Sequence, residues 1–265
     1  MRRKLIAGGL AVAGVVAGVA VSCARQQSRP KGPEMKPLAV SEQAAAVAQD
    51  TEAEGGYVVQ WAGVLANPNR WHYGEHPVAL VTAYDAAGNV LTRVEQQLDV
   101  IPPNGRLAFA GQAELPRQPQ RVVVRQKDAT WQRATRVPSA FAPFTVSDVL
   151  TEKDAKQGTY RVVGRVANPY SRQAGLVVTA LLRDASGRLV GGGSGYVKPI
   201  KPGEDRAFYV SARPSDPAAK VTKTEVVAGT WGGTRATWEN LTLNGLRPVH
   251  TTKPTSKPLL DRGRG

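Results

Sequence analysis

The feature that most constrains this chain is that it repeats itself, because a duplicated segment has to fold the same way twice. "YVVQWAGVLANP" (Tyr57 to Pro68) is echoed by "YRVVGRVANP" (Tyr160 to Pro169), and "TAYDAAGNVL" (Thr82 to Leu91) by "LLRDASGRLV" (Leu181 to Val190). "PPNGRLAFA" (Pro102 to Ala110) pairs with "KPGEDRAFYV" (Lys201 to Val210), and "TWQRAT" (Thr130 to Thr135) with "TWGGTRAT" (Thr230 to Thr237). "LAVSEQ" (Leu38 to Gln43) pairs with "FTVSDV" (Phe144 to Val149). The offsets stay within a few residues of one another, which reads as a tandem duplication over residues 37–137 and 142–240.

Each copy has the pattern of β-structure. Val58 to Leu65 and Val78 to Tyr84 are strand-length runs of residues that suit a pleated surface. Asn67-Pro68 and Asn168-Pro169 end a strand, since proline cannot donate to a ladder. Asp85 with Gly88, and Asp184 with Gly187, mark hairpin turns in which Asp caps local amides and Gly accepts a positive φ. Short strands with regular turns in about 100 residues fit an immunoglobulin-like β-sandwich. The expected fold is therefore all-β: two tandem sandwiches after an N-terminal signal or anchor segment. Trp131 and Trp231, which recur in the two copies, are expected in their cores.

The N-terminus carries an export pattern. Arg2-Arg3-Lys4 precedes an uncharged run from Leu5 to Val21, and small residues lead to Cys23, the single cysteine. Ala20-Val21-Ser22-Cys23 resembles a bacterial lipobox, with Ala20 in place of the usual Leu, and makes Cys23 the expected lipidation site. A conventional cleavage site or a retained apolar anchor are the alternatives, and Arg2-Arg3 also hints at twin-arginine export. All place the remainder outside the cytoplasm, and the lipid-anchored reading places it on the outer face of the cell membrane; a lone cysteine leaves no intrachain disulfide there. Residues 1–23 are thus read as signal, 24–36 as a tether reaching at most about 40 Å, and 248–265 as a disordered basic tail.

The formal net charge is +14, and removing Arg2, Arg3 and Lys4 leaves +11. Outside a cell the anionic counterparts are lipid headgroups and wall polymers; an envelope protein is the other candidate partner. An Arg-rich solvated surface is the plainer reading of the same charge. No nucleic-acid motif or aromatic-basic interleaving is present, so nucleic acid is not an expected partner.

With the copies aligned, the segments resemble the FxLYD-type domains of bacterial surface lipoproteins. Gly63, Asn67, Tyr84-Asp85, Gly88, Pro103, Gly105 and Phe109 fit that pattern in the first copy. Gly164, Asn168, Asp184, Gly187, Pro202, Gly203 and Phe208 fit it in the second. Val81 and Ala83 replace the Phe and Leu of the name, and Arg183 stands where Tyr is expected. The resemblance implies an extracytoplasmic, non-catalytic module.

Three segments carry candidate chemistry. "RWHYGEHP" (Arg70 to Pro77) contains His72-x-x-Glu75-His76, the spacing of an inverted zinc-peptidase motif. Such a site needs both histidines on one helix face; Gly74 and Pro77 oppose a helix, and the segment falls between two strands. A metal-dependent hydrolase using His72 and His76 is the enzymatic alternative; the expectation is no enzyme and no cofactor. The same loop is longer than its counterpart "YSRQAG", and its Arg70, Trp71, His72 and Tyr73 form a candidate contact loop. Alternatively Trp71 or Tyr73 folds back to complete a core, and the whole chain is a structural spacer. Finally, Gly191-Gly192-Gly193-Ser194-Gly195 aligns with Thr92 to Gln96 and precedes extended sequence rather than a helix. It reads as a weakened or bulged edge strand, not a phosphate loop.

Overall fold

Polar turn residues cut the chain into strands, and alternation of apolar side chains decides which face each strand buries. The computed structural model describes residues 34–50, 55–127, 129–134 and 144–231, and among them there is no helix. The first half comprises β1 (Ala39–Gln49), β2 (Tyr57–Ala66), β3 (His72–Glu75), β4 (Val78–Tyr84), β5 (Val90–Gln97), β6 (Arg106–Leu115), β7 (Arg121–Lys127) and β8 (Thr130–Arg133). The second comprises β9 (Thr145–Asp154), β10 (Thr159–Ala167), β11 (Ala174–Arg183), β12 (Leu189–Ile200), β13 (Asp205–Pro214) and β14 (Lys223–Thr230). The expected all-β architecture is what the chain adopts, built from antiparallel sheets.

The sheet orders of the two halves correspond. The first half has sheets β1-β2-β6 and β5-β4-β7, plus the short pair β3-β8. The second has the order β14-β11-β12-β13-β10-β9, the same two triplets joined through β12 and β13. Registers match as well: Gly63 faces Phe109 and Gly164 faces Phe208. Both hairpins slip by one residue at the same place, between Ala83 and Tyr84 and between Leu182 and Arg183.

Local chemistry explains the shared elements. Asp85 accepts the Asn89 amide at 2.8 Å and Asp184 accepts the Arg188 amide at 3.1 Å. Gly88 and Gly187 close those turns at φ 85° and 82°, a region open to glycine. These contacts hold both carboxyls below the ordinary aspartate range, led by the Asn89 side chain for Asp85 and the Ser186 hydroxyl for Asp184. Buried Asn67 and Asn168 each stitch three chain segments. The Asn67 amide donates to the carbonyls of His72 and Pro102, and the Asn168 amide to those of Arg172 and Ile200. An apolar residue at either place would leave several carbonyls without donors.

Pleating gives β2 two buried faces. Val59, Trp61 and Leu65 point into the first core with Ala79, Val81, Phe109 and Val124. Ala62 and Val64 point the other way and pack with Ala110 against Leu181 and Leu189 of the second half. The second core gathers Val162, Val166, Leu176, Val178, Leu182, Phe208 and Val210, and it also takes in Tyr73 and Val100 from the first half. The β-structure beginning at Met35 accordingly forms one compact unit.

Candidate functional site

The zinc-motif segment is a strand, not a helix. His72 to Glu75 form β3, pairing antiparallel with β8 so that His72 faces Arg133 and Gly74 faces Trp131. At about 3.3 Å per residue, His72 and the position of His76 are separated by roughly 13 Å, and three-residue spacing puts His72 and Glu75 on opposite faces. His76 has turned out of the strand at φ 52°, its Nδ1 lying 3.3 Å from the Gln97 side chain. Among the described residues no three His, Cys, Asp or Glu side chains converge as metal ligands. Gly74 has a packing role: a Cβ there would lie 2.9 Å from Ile101 and 3.4 Å from the Trp131 ring.

The contact loop divides. Tyr73 is buried in the second core, so the fold-back reading holds for it. Trp71 is 60% exposed, with the Arg70 guanidinium 4.8 Å from its ring centroid. His72 is half-buried and accepts the Asn67 amide through its carbonyl at 2.8 Å. Cys23 and the tail 248–265 lie outside the described residues.

The glycine run is not an edge. β12 lies between β11 and β13, with Gly191 facing Pro214 and Gly192 facing Arg213. The expectation of an edge strand fails because the glycines bring two backbones together. A Cβ on Gly193 would sit 2.1 Å from the Ser211 carbonyl oxygen, and one on Gly195 would sit 2.4 Å from that of Tyr209. On the other face a Cβ on Gly192 would meet the Ala62 methyl at 2.7 Å, so this glycine also lets the second half seat on the first.

Polar side chains reinforce that seat. Arg183, at the position where the resemblance expects Tyr, is only 11% exposed and bridges Glu42 at 2.5 Å and Glu225 at 2.8 Å. Arg106 completes the cluster on Glu42. The Arg183 hydrogen bond is the main reason that the Glu42 carboxyl lies below the ordinary range; the Arg183 guanidinium is correspondingly raised. At the far side, buried Asp99 accepts both the amide and hydroxyl of Thr230 at 2.8 Å, and the Val100 amide at 2.8 Å. The Ser194 hydroxyl donates to the Ala110 carbonyl at 3.0 Å.

Between these ties lies a cleft of about 700 Å³, lined by β5 and β6 of the first half and β11, β12 and β14 of the second. Its walls include Leu98, Phe109, Val177 and Val227, with Gln96 and Thr179 as polar points. The cleft exists because β5 and β6, unlike β12 and β13, do not pair. The Gln96 side chain spans the gap instead, accepting the Trp61 indole at 2.8 Å and donating to the Ala110 carbonyl at 2.8 Å. Trp231 stands at the cleft 70% exposed, its ring 6.1 Å from that of exposed Tyr196. It is not a core residue as its repeat partner Trp131 suggested; Trp131 is half-buried against the first core. The inserted Gly232-Gly233 after Trp231 is the one sequence signal that the two tryptophans differ.

Searched against protein-family models and against curated proteins, the chain matches none.

Proposed function

We propose that the chain is an envelope-anchored, non-catalytic binding protein of the FxLYD-like type, held to the outer face of the cell membrane by a lipid on Cys23. In this reading the two copies act as one receptor, and the ligand lies in the cleft between them. The observation that carries the binding role is the cleft itself. Its volume falls within the roughly 300–1,000 Å³ of small-molecule sites, and it combines apolar walls with a few polar points. That lining suits an amphipathic ligand with an apolar portion. The carboxylates on the cleft are engaged structurally, Asp99 with Thr230 and Glu95 with Lys127, which supports binding rather than acid-base chemistry.

Two measurements test this. Cys23→Ser should move the protein from the membrane fraction to the soluble one and abolish incorporation of labelled palmitate; retention of both sinks the anchor. An environment-sensitive amphiphile such as anilinonaphthalene sulfonate should bind the native protein saturably. Val227→Trp, placed on a partly exposed residue of the cleft wall, should weaken that binding about tenfold, a change of 1.4 kcal/mol. Equal binding by both proteins would put the ligand elsewhere.

A further inference from the structure

The tether and the exposed Trp71 meet at one place. Lys36, where residues 24–36 join the β-structure, is clamped by buried Asn69. The Lys36 amide donates to Asn69 Oδ1 at 3.0 Å, and Asn69 Nδ2 donates to the Lys36 carbonyl at 2.7 Å. Asn69 is in turn fixed by Asn67, whose Oδ1 accepts its amide at 2.9 Å. The next two residues are Arg70 and Trp71. The Trp71 carbonyl accepts the Ala134 amide at 2.7 Å, so the tip is also pinned by the residue that follows β8. A pinned backbone carrying a tryptophan 60% in solvent has no evident role in packing.

Basic residues adjoin it: Arg70 lies over the Trp71 ring, Lys36 is joined through the Asn69 clamp, and Arg133 stands opposite His72 in the β3-β8 pair. We infer that this tip, Trp71 with Arg70 and Lys36, seats on the anionic phospholipid surface of the membrane that holds the chain. The inference rests on the anchor reading. A tether with a reach of about 40 Å keeps its point of attachment close to the bilayer, and that point is the Asn69 clamp. Indole rings favour the headgroup level, and a guanidinium pairs with lipid phosphate. Each basic residue near an anionic surface contributes only about 1 kcal/mol, too little to recruit a free protein. On an anchored chain the contact is intramolecular, so the same weak terms suffice to hold one end of the fold down. The tip thus fixes orientation rather than attachment, and it accounts for the extra length of this loop relative to the second copy.

The test uses the full chain, purified from membranes and reconstituted into anionic vesicles whose lipids carry bromine on the upper acyl chain. Flotation is read first, then tryptophan quenching in the native protein and in Trp71→Phe. The expected result is co-flotation of both, with brominated-lipid quenching reduced roughly twofold or more in Trp71→Phe. Co-flotation with equal quenching in the two proteins overturns the tip and leaves the anchor standing. Failure of the native protein to float overturns both. Arg70→Ala with Lys36→Ala should lower the quenching in anionic vesicles and leave it unchanged in zwitterionic ones. Insensitivity to lipid charge would overturn the role assigned to the two cations.

Discussion

At one corner the two halves of this molecule solve the same structural problem in opposite ways. In the second half, β12 and β13 come together because Gly191, Gly193 and Gly195 lack the Cβ that would strike β13, and the two triplets become one continuous sheet. In the first half the aligned residues are Thr92, Val94 and Gln96; β5 and β6 stay apart, and Gln96 bridges them with its side chain. One scaffold is closed by backbone and the other left ajar. The open corner, roofed by the outer faces of β11 and β14, is the cleft. The difference teaches that a run of glycines can act by permitting approach rather than by bending freely or cradling an anion.

The strongest way to break that comparison is to exchange the residues. Gly193→Val would drive a side chain into the Ser211 carbonyl and should cost about 3 kcal/mol, the upper end for overpacking, measured as a shift in the urea midpoint. The reciprocal Val94→Gly should cost about 1 kcal/mol, because it removes only strand propensity and a half-buried side chain. Equal costs would mean that the glycines are not what closes the corner.

Next in size is the junction that the two halves share. Tyr84 in the first copy stacks under Arg121 at 4.4 Å, whereas its counterpart Arg183 reaches across to Glu42. Arg183→Met should cost about 2 kcal/mol, less than a fully buried pair because the Glu225 carboxylate is 43% exposed and screened by solvent. The Glu42 carboxyl is depressed in the folded state, so its contribution is complete above 4.5 and is lost as pH falls through the folded value. Native protein should lose stability on acidification by more than Arg183→Met does; parallel pH profiles would remove Glu42 from the junction. Gln96→Ala comes third, at about 1–2 kcal/mol for two lost hydrogen bonds, and amphiphile binding should survive or strengthen as the corner opens.

The smallest effect near neutral pH separates Asn69 from Tyr170, which occupy equivalent places: each amide is accepted by the preceding hub asparagine, Asn67 or Asn168. Asn69 grips the tether, whereas Tyr170 is buried against Phe144, and burial pushes its hydroxyl up to about 12. Above pH 10 the unfolded chain ionises first, so stability should fall between pH 10 and 12 in native protein. Tyr170→Phe should be flatter across that window; identical alkaline profiles would contradict the assignment.

Local chemistry was legible in the sequence, and long-range placement was not. The hairpins at Asp85 and Asp184 and the strand ends at Asn67 and Asn168 could be read because each is dictated by residues within a few positions. The correspondence of strand order between the halves also follows from their alignment. The glycine run reads as extended and as an edge, since the β13 backbone that it approaches is distant in sequence, as Ser211 is from Gly193. Tyr73 could not be assigned because its core belongs to the other half. The cleft has no sequence signature, because it forms where the first core, at Leu98 and Phe109, stands open beside the outer faces of β11 and β14, a juxtaposition that no single strand's pattern contains. Trp231 misled for the same reason: repetition implied burial, yet its neighbours differ.

The central claim is that the two copies bind one ligand in the cleft between them, on the outer surface of the membrane. A photo-reactive phenylalanine analogue in place of Trp231, an exposed aromatic at the cleft, compared with one at exposed Leu150 on β9, tests it in intact cells. The account predicts a discrete adduct from position 231 that is absent from position 150 and is competed by the amphiphile that binds the purified protein. No adduct at 231, or the same adduct at both positions, would contradict it.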